Sequence, residues 1–232
     1  MEKGVKMVKS SLLAYEKKYK EGYGVMYPES HIIRLHKHFL EYKLNIKKGR
    51  LFDFGCGNGT HPLYFHSKGF DVYGVDIVEQ AIRLCKQRLP LSKSHFEVIK
   101  PNQRIDALFN VKFNLILANQ SLYYLSDFFL NRTLNQIHEM LENGGIVLFT
   151  MIGEKSSYYK DAKKDIDGLR RVKLVGRLNE TTYINFVKSE KDLLKRFKMF
   201  EPINVGYYDF TSDGGSTFHY YFIGKKMIGD KK

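Results

Sequence analysis

The sequence predicts an α/β fold: seven mainly parallel strands with helices on both faces, finished by a C-terminal antiparallel hairpin. Three observations carry this expectation. From residue 50 onward, short apolar segments alternate with amphipathic ones in strand, helix, strand, helix order. The segment "FNLILAN" is almost wholly apolar, as a strand covered on both faces must be. Near the end, "INVGYYDF" and "TFHYYFIGKK" are aromatic, β-prone runs joined by the turn "TSDGGS".

Each element follows in order. "SLLAYEKKYKEGYG" reads as a short amphipathic helix ending in a glycine turn. "YPESHIIRLHKHFLEYKL" reads as a second helix, with Pro28 in its first turn and Ile32, Leu35 and Phe39 at helical spacing. "RLFDF" is the first strand, and "THPLYFHSKG" a helix stopped by Gly69. "DVYGVDI" is the second strand, followed by the helix "VEQAIRLCKQRL" with Ala81, Leu84 and Cys85 on one side. "SHFEVI" and "FNLILAN" are the third and fourth strands. "DFFLNRTLNQIHEMLENGG" is a helix closed by glycine, and "IVLFTMI" the next strand. Residues 153–188 are polar and weakly periodic, and read as an inserted flap over one sheet edge. "SEKDLLKRFKMF" is a last helix with Ser189 as its cap.

Composition limits the partners. The chain has 232 residues, 43% of them hydrophobic, enough for a sizeable core. Cys56 and Cys85 are its two cysteines, which is no disulfide framework and fits a reducing compartment. The first residues lack the apolar stretch of a signal peptide, and the run "GGIVLFTMIG" is too short to span a membrane. The expectation is a cytoplasmic protein without membrane contact. A net charge of +13 suits nucleic acid, an anionic membrane or a phosphorylated metabolite, but the lysines are dispersed and form no basic arm.

The stretch "LFDFGCGNGTHP" packs three glycines into five positions behind the first strand. In open α/β sheets, such a turn lets a ligand approach bare backbone. The dinucleotide pattern G-x-G-x-x-G would need glycine where Thr60 stands, and no G-K-[ST] follows for a P-loop. The stretch resembles motif I of the class I S-adenosylmethionine-dependent methyltransferases, an acidic residue followed by G-x-G-x-G. Here these are Asp53, Gly55, Gly57 and Gly59. The acid that ends the family's second strand matches Asp76 in "VYGVDI", and its fourth strand matches "FNLILANQSLYYL".

That resemblance implies a Rossmann-like methyltransferase domain over residues 50–232, with residues 1–49 as an N-terminal helical lid. It implies S-adenosylmethionine as cofactor, bound by Asp53, Gly55, Cys56, Gly57, Gly59, Asp76, Ile77 and Asn119. Asp76 would accept hydrogen bonds from the ribose hydroxyls, Ile77 would cover the adenine, and Asp53 would meet the ammonium group. Because the sulfonium already activates the methyl group, positioning dominates the chemistry, and the acceptor is hard to read from sequence. Gln120, Tyr123 and Tyr124 fall beside the transferred methyl, and Tyr23 and Tyr27 belong to the lid. Tyr27 and Tyr124 are the candidate catalytic hydroxyls; Tyr23, Gln120, Tyr123, Arg170 and Arg171 are candidate substrate contacts. The stretch after strand four lacks the [DN]-P-P-[YFW] pattern of adenine or amide methylation. Neither cysteine fits cytosine transfer. The expected acceptor is therefore a small polar, anionic metabolite such as a phosphorylated amino alcohol or a sugar derivative, with RNA or protein as the alternative. The eight histidines show no metal-ligand spacing. His31, Arg34 and His38 read as a solvated helix face, and His61 as a cap or a substrate contact.

Overall fold

The computed structural model describes residues 12, 15–22, 27–101, 103–174, 180–213 and 215–227. Residues 15–20 form a leading helix. Next comes α1 (Ser30–Leu35), which runs on as a π-helix over His36–Lys43. The strands β1 (Gly49–Phe54), β2 (Phe70–Asp76), β3 (Phe96–Val98), β4 (Phe113–Ala118) and β5 (Leu141–Ile152) alternate with helices. Those helices are α2 (Thr60–His66), α3 (Glu79–Arg88) and α4 (Asp127–Met140). A small antiparallel sheet of β6 (Lys163–Lys164), β7 (Arg170–Leu174) and β8 (Glu180–Ile184) then precedes α5 (Glu190–Arg196). The chain returns through β9 (Phe200–Tyr208), the short pair β10 (Thr211–Ser212) and β11 (Gly215–Ser216), and β12 (His219–Lys226).

The main sheet has seven strands in the order β3-β2-β1-β4-β5-β12-β9. Pairs among β1 to β5 are parallel, and β12 runs antiparallel between β5 and β9. This is a Rossmann-like arrangement with a reversed hairpin at one side. Successive residues of the central strands serve opposite faces: Leu51, Leu115 and Leu148 pack with α1, α2 and α3, while Phe52, Ile116 and Phe149 pack with α4 and α5. Two covered faces explain why β4 is apolar throughout.

Three local expectations change. The second predicted helix is α-helical for six residues and then widens, with the Leu44 N–H donating to Phe39 O at 2.9 Å. His36 is buried at this transition, and its ring is satisfied by a hydrogen bond to the Tyr64 hydroxyl at 2.8 Å. The helix after β4 ends at Met140, ahead of its glycines, because buried Leu141 already pairs with Phe113 in the sheet. The sheet edges are β3 and β9, and the described flap residues bond elsewhere. Its Asn185 N–H donates to Tyr123 O at 2.8 Å, and the Asn185 side chain donates to Asp127 Oδ1 at 2.8 Å. These bonds hold the flap over the end of β4 and the start of α4. The Ser189 cap forms as expected, its hydroxyl accepting the Asp192 N–H.

Candidate functional site

At the C-terminal ends of β1 and β2 the glycine turn is built from backbone bonds. The Gly55 and Cys56 N–H groups both donate to Val75 O, at 2.9 and 3.0 Å. Gly55, Gly57 and Gly59 have φ of 79°, 53° and 82°, where a side chain is strained. Their surroundings differ. A Cβ on Gly55 would lie 2.5 Å from Ser121 Cβ, and one on Gly59 would lie 2.6 Å from Cys85 Sγ. Those two glycines are thus required by the protein's own packing. A Cβ on Gly57 would meet the Tyr19 hydroxyl of the leading helix at 2.8 Å, so this glycine faces that helix.

Two carboxylates stand behind the turn. Asp76 accepts the Gly57 N–H at Oδ2 and the Val78 N–H at Oδ1, both at 2.9 Å. Each oxygen keeps further lone-pair capacity. Burial raises its pKa, and those amides oppose the rise. Asp53 is buried, and its Oδ2 has no hydrogen-bond partner among the described residues. Burial, with Asp76 adding repulsion and His61 opposing, pushes Asp53 up to about 7.

Beside the turn, at the ends of β4 and β5, lies a polar cluster. Gln120 adopts φ 53°, an uncommon conformation for a non-glycine residue. Its N–H donates to Thr150 Oγ1 at 2.7 Å, and its Nε2 donates to Glu29 Oε1 at 2.8 Å and to the Tyr208 hydroxyl at 3.3 Å. Asn119 donates to the other Glu29 oxygen and accepts from Thr150 at 3.1 Å. The His31 Nε2–H donates to Asn119 Oδ1 at 3.0 Å, which fixes its tautomer because that oxygen can only accept. His61 Nε2 is 3.5 Å from Glu29. Burial alone would raise Glu29, but His61, His31 and Asn119 outweigh it and hold the carboxyl down at about 2. Burial lowers His31, against the pull of Asn119 and Glu29. The Tyr208 ring is stacked on His31 at 3.8 Å between centroids and lies parallel to His219 at 5.1 Å.

The predicted residues divide by place. Asp53, Gly55, Cys56, Gly57, Gly59, Asp76 and Ile77 gather at the turn, although Cys56 is buried with its side chain against Gly74 and offers only backbone. Asn119 and Gln120 enter the polar cluster. Tyr124 is tied to the leading helix, its hydroxyl 2.8 Å from that of Tyr15, and Tyr123 is buried beside His219. Tyr27 is 82% exposed, and no described contact joins it to the cluster. Tyr23 lies outside the described residues. Arg170 sits over the Tyr159 ring and donates to Ala162 O, and Arg171 is exposed on β7, so both guanidinium groups belong to the flap.

Glu29, Thr150, Tyr208 and His219 were not singled out from sequence, and His31 read as solvated although it is half-buried. One signal was present. Thr150 and His219 are polar residues inside otherwise apolar, β-prone runs, and a buried polar side chain needs a partner. Among the described residues no group of His, Cys, Asp and Glu has an arrangement that could hold a metal ion, and no helix is long and apolar enough to cross a membrane.

Comparison with known proteins gives a consistent picture. The family model described as "Methyltransferase domain" matches residues 28–200. An uncharacterized methyltransferase of Alkaliphilus oremlandii is 24% identical over 168 residues, covering 69% of this chain and 68% of that protein. The malonyl-[acyl-carrier protein] O-methyltransferase of Hamiltonella defensa is 24% identical over 108 residues, covering 47% of this chain and 40% of that protein. In general the chain spans about half the length of the curated relatives it matches. Among solved structures, a Burkholderia thailandensis 1,6-didemethyltoxoflavin-N1-methyltransferase with bound 1,6-didemethyltoxoflavin and S-adenosylhomocysteine shares the fold. Its TM-score is 0.62 at 17% identity, covering 95% of this chain and 89% of that one.

Proposed function

Because the chain belongs to the methyltransferase-domain family, we propose that it transfers a methyl group from S-adenosylmethionine to a nitrogen or oxygen of a small polar metabolite. The observation that carries this reading is the joining of the glycine turn and its two carboxylates to a partly buried polar cluster at the same end of the sheet. In open parallel sheets this end, beyond the strand C-termini, is where ligands bind.

The residues present fit the cofactor. Asp53 Oδ2, buried without a partner among the described residues, suits an ammonium group, which would also relieve the cost of its burial. Asp76 retains acceptor capacity on both oxygens for a pair of ribose hydroxyls. Gly57 offers bare backbone beneath Tyr19. When bound, the cofactor supplies a methyl group already activated by sulfonium. The protein's own part is to orient the acceptor and exclude water. Gln120, held by Thr150, Glu29 and Tyr208, is rigid enough to orient it. Residues 1–49 act as the lid in this reading, with Tyr15 and Tyr19 reaching Tyr124 and the turn, and residues 153–188 act as a flap that meets the lid through Lys18 and Glu180, 2.8 Å apart. Tyr124 then contributes by fastening the lid, and Tyr27 lies outside the reacting region.

The ionised side chain next to Asn119 and Gln120 is a carboxylate, Glu29. We therefore place the uncharged nucleophilic end of the acceptor there, and any phosphate that it carries away from this cluster, towards solvent and the flap arginines. Calorimetric titration with S-adenosylmethionine and S-adenosylhomocysteine tests the reading. Both are expected to bind at micromolar Kd, and Asp76→Ala to weaken binding by about 10- to 100-fold, since it strips two hydroxyls of their acceptor. Unchanged affinity in Asp76→Ala removes Asp76 from the site; no binding of either compound overturns the proposal.

A further inference from the structure

His219 opens β12 and pairs with Ile152, the last residue of β5, which places it at the same end of the sheet as the polar cluster. It is 4% exposed. Its Nδ1 is bonded to Thr217 O. A carbonyl oxygen can only accept, so Nδ1 carries the proton and Nε2 carries a lone pair. That Nε2 is buried and has no hydrogen-bond partner among the described residues. A buried acceptor left unpaired costs free energy, and native proteins retain few of them. The ring lies between Tyr208, parallel at 5.1 Å, and Tyr123 at 5.8 Å, with His31, Glu29 and Asp209 as the charged or titratable groups nearby.

We propose that His219 Nε2 is the proton acceptor for the methyl acceptor, and that the methylated atom is a hydroxyl oxygen. The proposal rests on the methyltransfer reading above and narrows it to O-methylation. In the step, an oxygen lone pair forms the new bond to the methyl carbon as the carbon–sulfur bond breaks, its electron pair remaining on sulfur. The O–H electron pair stays on oxygen, and the proton passes to Nε2, from which water later removes it. The products are the methyl ether and S-adenosylhomocysteine.

The chemistry of the ring selects oxygen over nitrogen. Burial lowers His219 to about 4, against the pull of Thr217 O, so it is a neutral, weak base at physiological pH. An ammonium group does not yield its proton to a neutral imidazole, which the Thr217 O bond at Nδ1 makes of His219, and a neutral amine attacks without needing a base. A hydroxyl becomes strongly acidic only as its oxygen acquires the methyl group, and a weak, pre-positioned base matches that demand.

The test combines spectroscopy with turnover. In protein carrying 15N-labelled histidine, one ring absent from His219→Asn is expected to show the Nδ1–H tautomer and to stay unprotonated down to about pH 5. Asn at this position keeps a donor for Thr217 O while removing the base. Small alcohols and phenols are then compared with matching primary amines, following S-adenosylhomocysteine release. The hydroxyl compounds are expected to be methylated. His219→Asn should lower kcat about 100-fold while leaving S-adenosylhomocysteine affinity intact, and its rate should rise with pH where the wild type is flat. An Nε2–H tautomer, methylation of amines alone, or an undiminished rate in His219→Asn overturns the proposal. A parallel loss of S-adenosylhomocysteine affinity in the variant also overturns it, by making His219 structural. Failure of the wild type to bind S-adenosylhomocysteine overturns the parent reading as well, whereas the wrong tautomer sinks this inference alone.

Discussion

Single residues at this site hold charge in opposite ways, and pH separates them. Glu29 is stabilised as an anion by His61, His31 and Asn119, while Asp53 is buried with no donor on Oδ2 among the described residues. A carboxyl whose folded pKa is raised from 3.8 to about 7 favours the protonated form when folded. Its burial therefore costs progressively more stability as pH rises through that window. Asp53→Asn, which cannot ionise, is expected to raise Tm by several degrees at pH 8 and to change it little at pH 4. Thermal melts at the two pH values check this, and an equal shift at both would mean that ionisation is not the cause. Glu29 has the reverse sign: the stability it confers is present above 4.5 and is lost as pH falls towards 2. The motif acids were legible because their sequence neighbours are distinctive. Glu29 was not, because its partners lie about ninety residues away along the chain, at Asn119 and Gln120.

At the scale of elements, the turn between β1 and α2 illustrates how pattern and cause come apart. Its glycine spacing is visible in sequence, yet the reasons differ from one position to the next. Gly59→Ala would combine a left-handed backbone with Cys85 Sγ at 2.6 Å, and is expected to cost about 3 kcal/mol. Gly69→Ala shares the positive φ, at 92°, but meets nothing within 4 Å, and should cost only about 1 kcal/mol. Chemical denaturation of the two variants measures the difference, and equal losses would show that backbone strain alone matters. The strands and most helices could be predicted because apolar periodicity reports burial directly. The flap could not be placed, since its polar, weakly periodic sequence docks through single hydrogen bonds such as those of Asn185 to Tyr123 and Asp127. The π-helical stretch was equally hidden, because the apolar spacing of Ile32, Leu35 and Phe39 reads as a regular helix.

Over the whole molecule, the net charge of +13 raises the question of nucleic acid. The lysines are dispersed along the sequence and form no basic arm, so any RNA association is expected to be non-specific. Its affinity is expected to fall steeply between 50 and 200 mM salt, by about 10³-fold or more for six or so phosphate contacts. Filter binding across that range checks this. Sub-micromolar affinity that persists at 200 mM would favour RNA as the methyl acceptor. The main sheet has a consequence of its own. β12 is the last strand to join, yet it lies between β5 and β9, and its first residue, His219, completes the row of rings begun by His31 in α1. A ribosome must release about two hundred residues beyond α1 before that row can close. Under the proposal for His219, synthesis thus supplies the residues of the glycine turn well before it supplies the base.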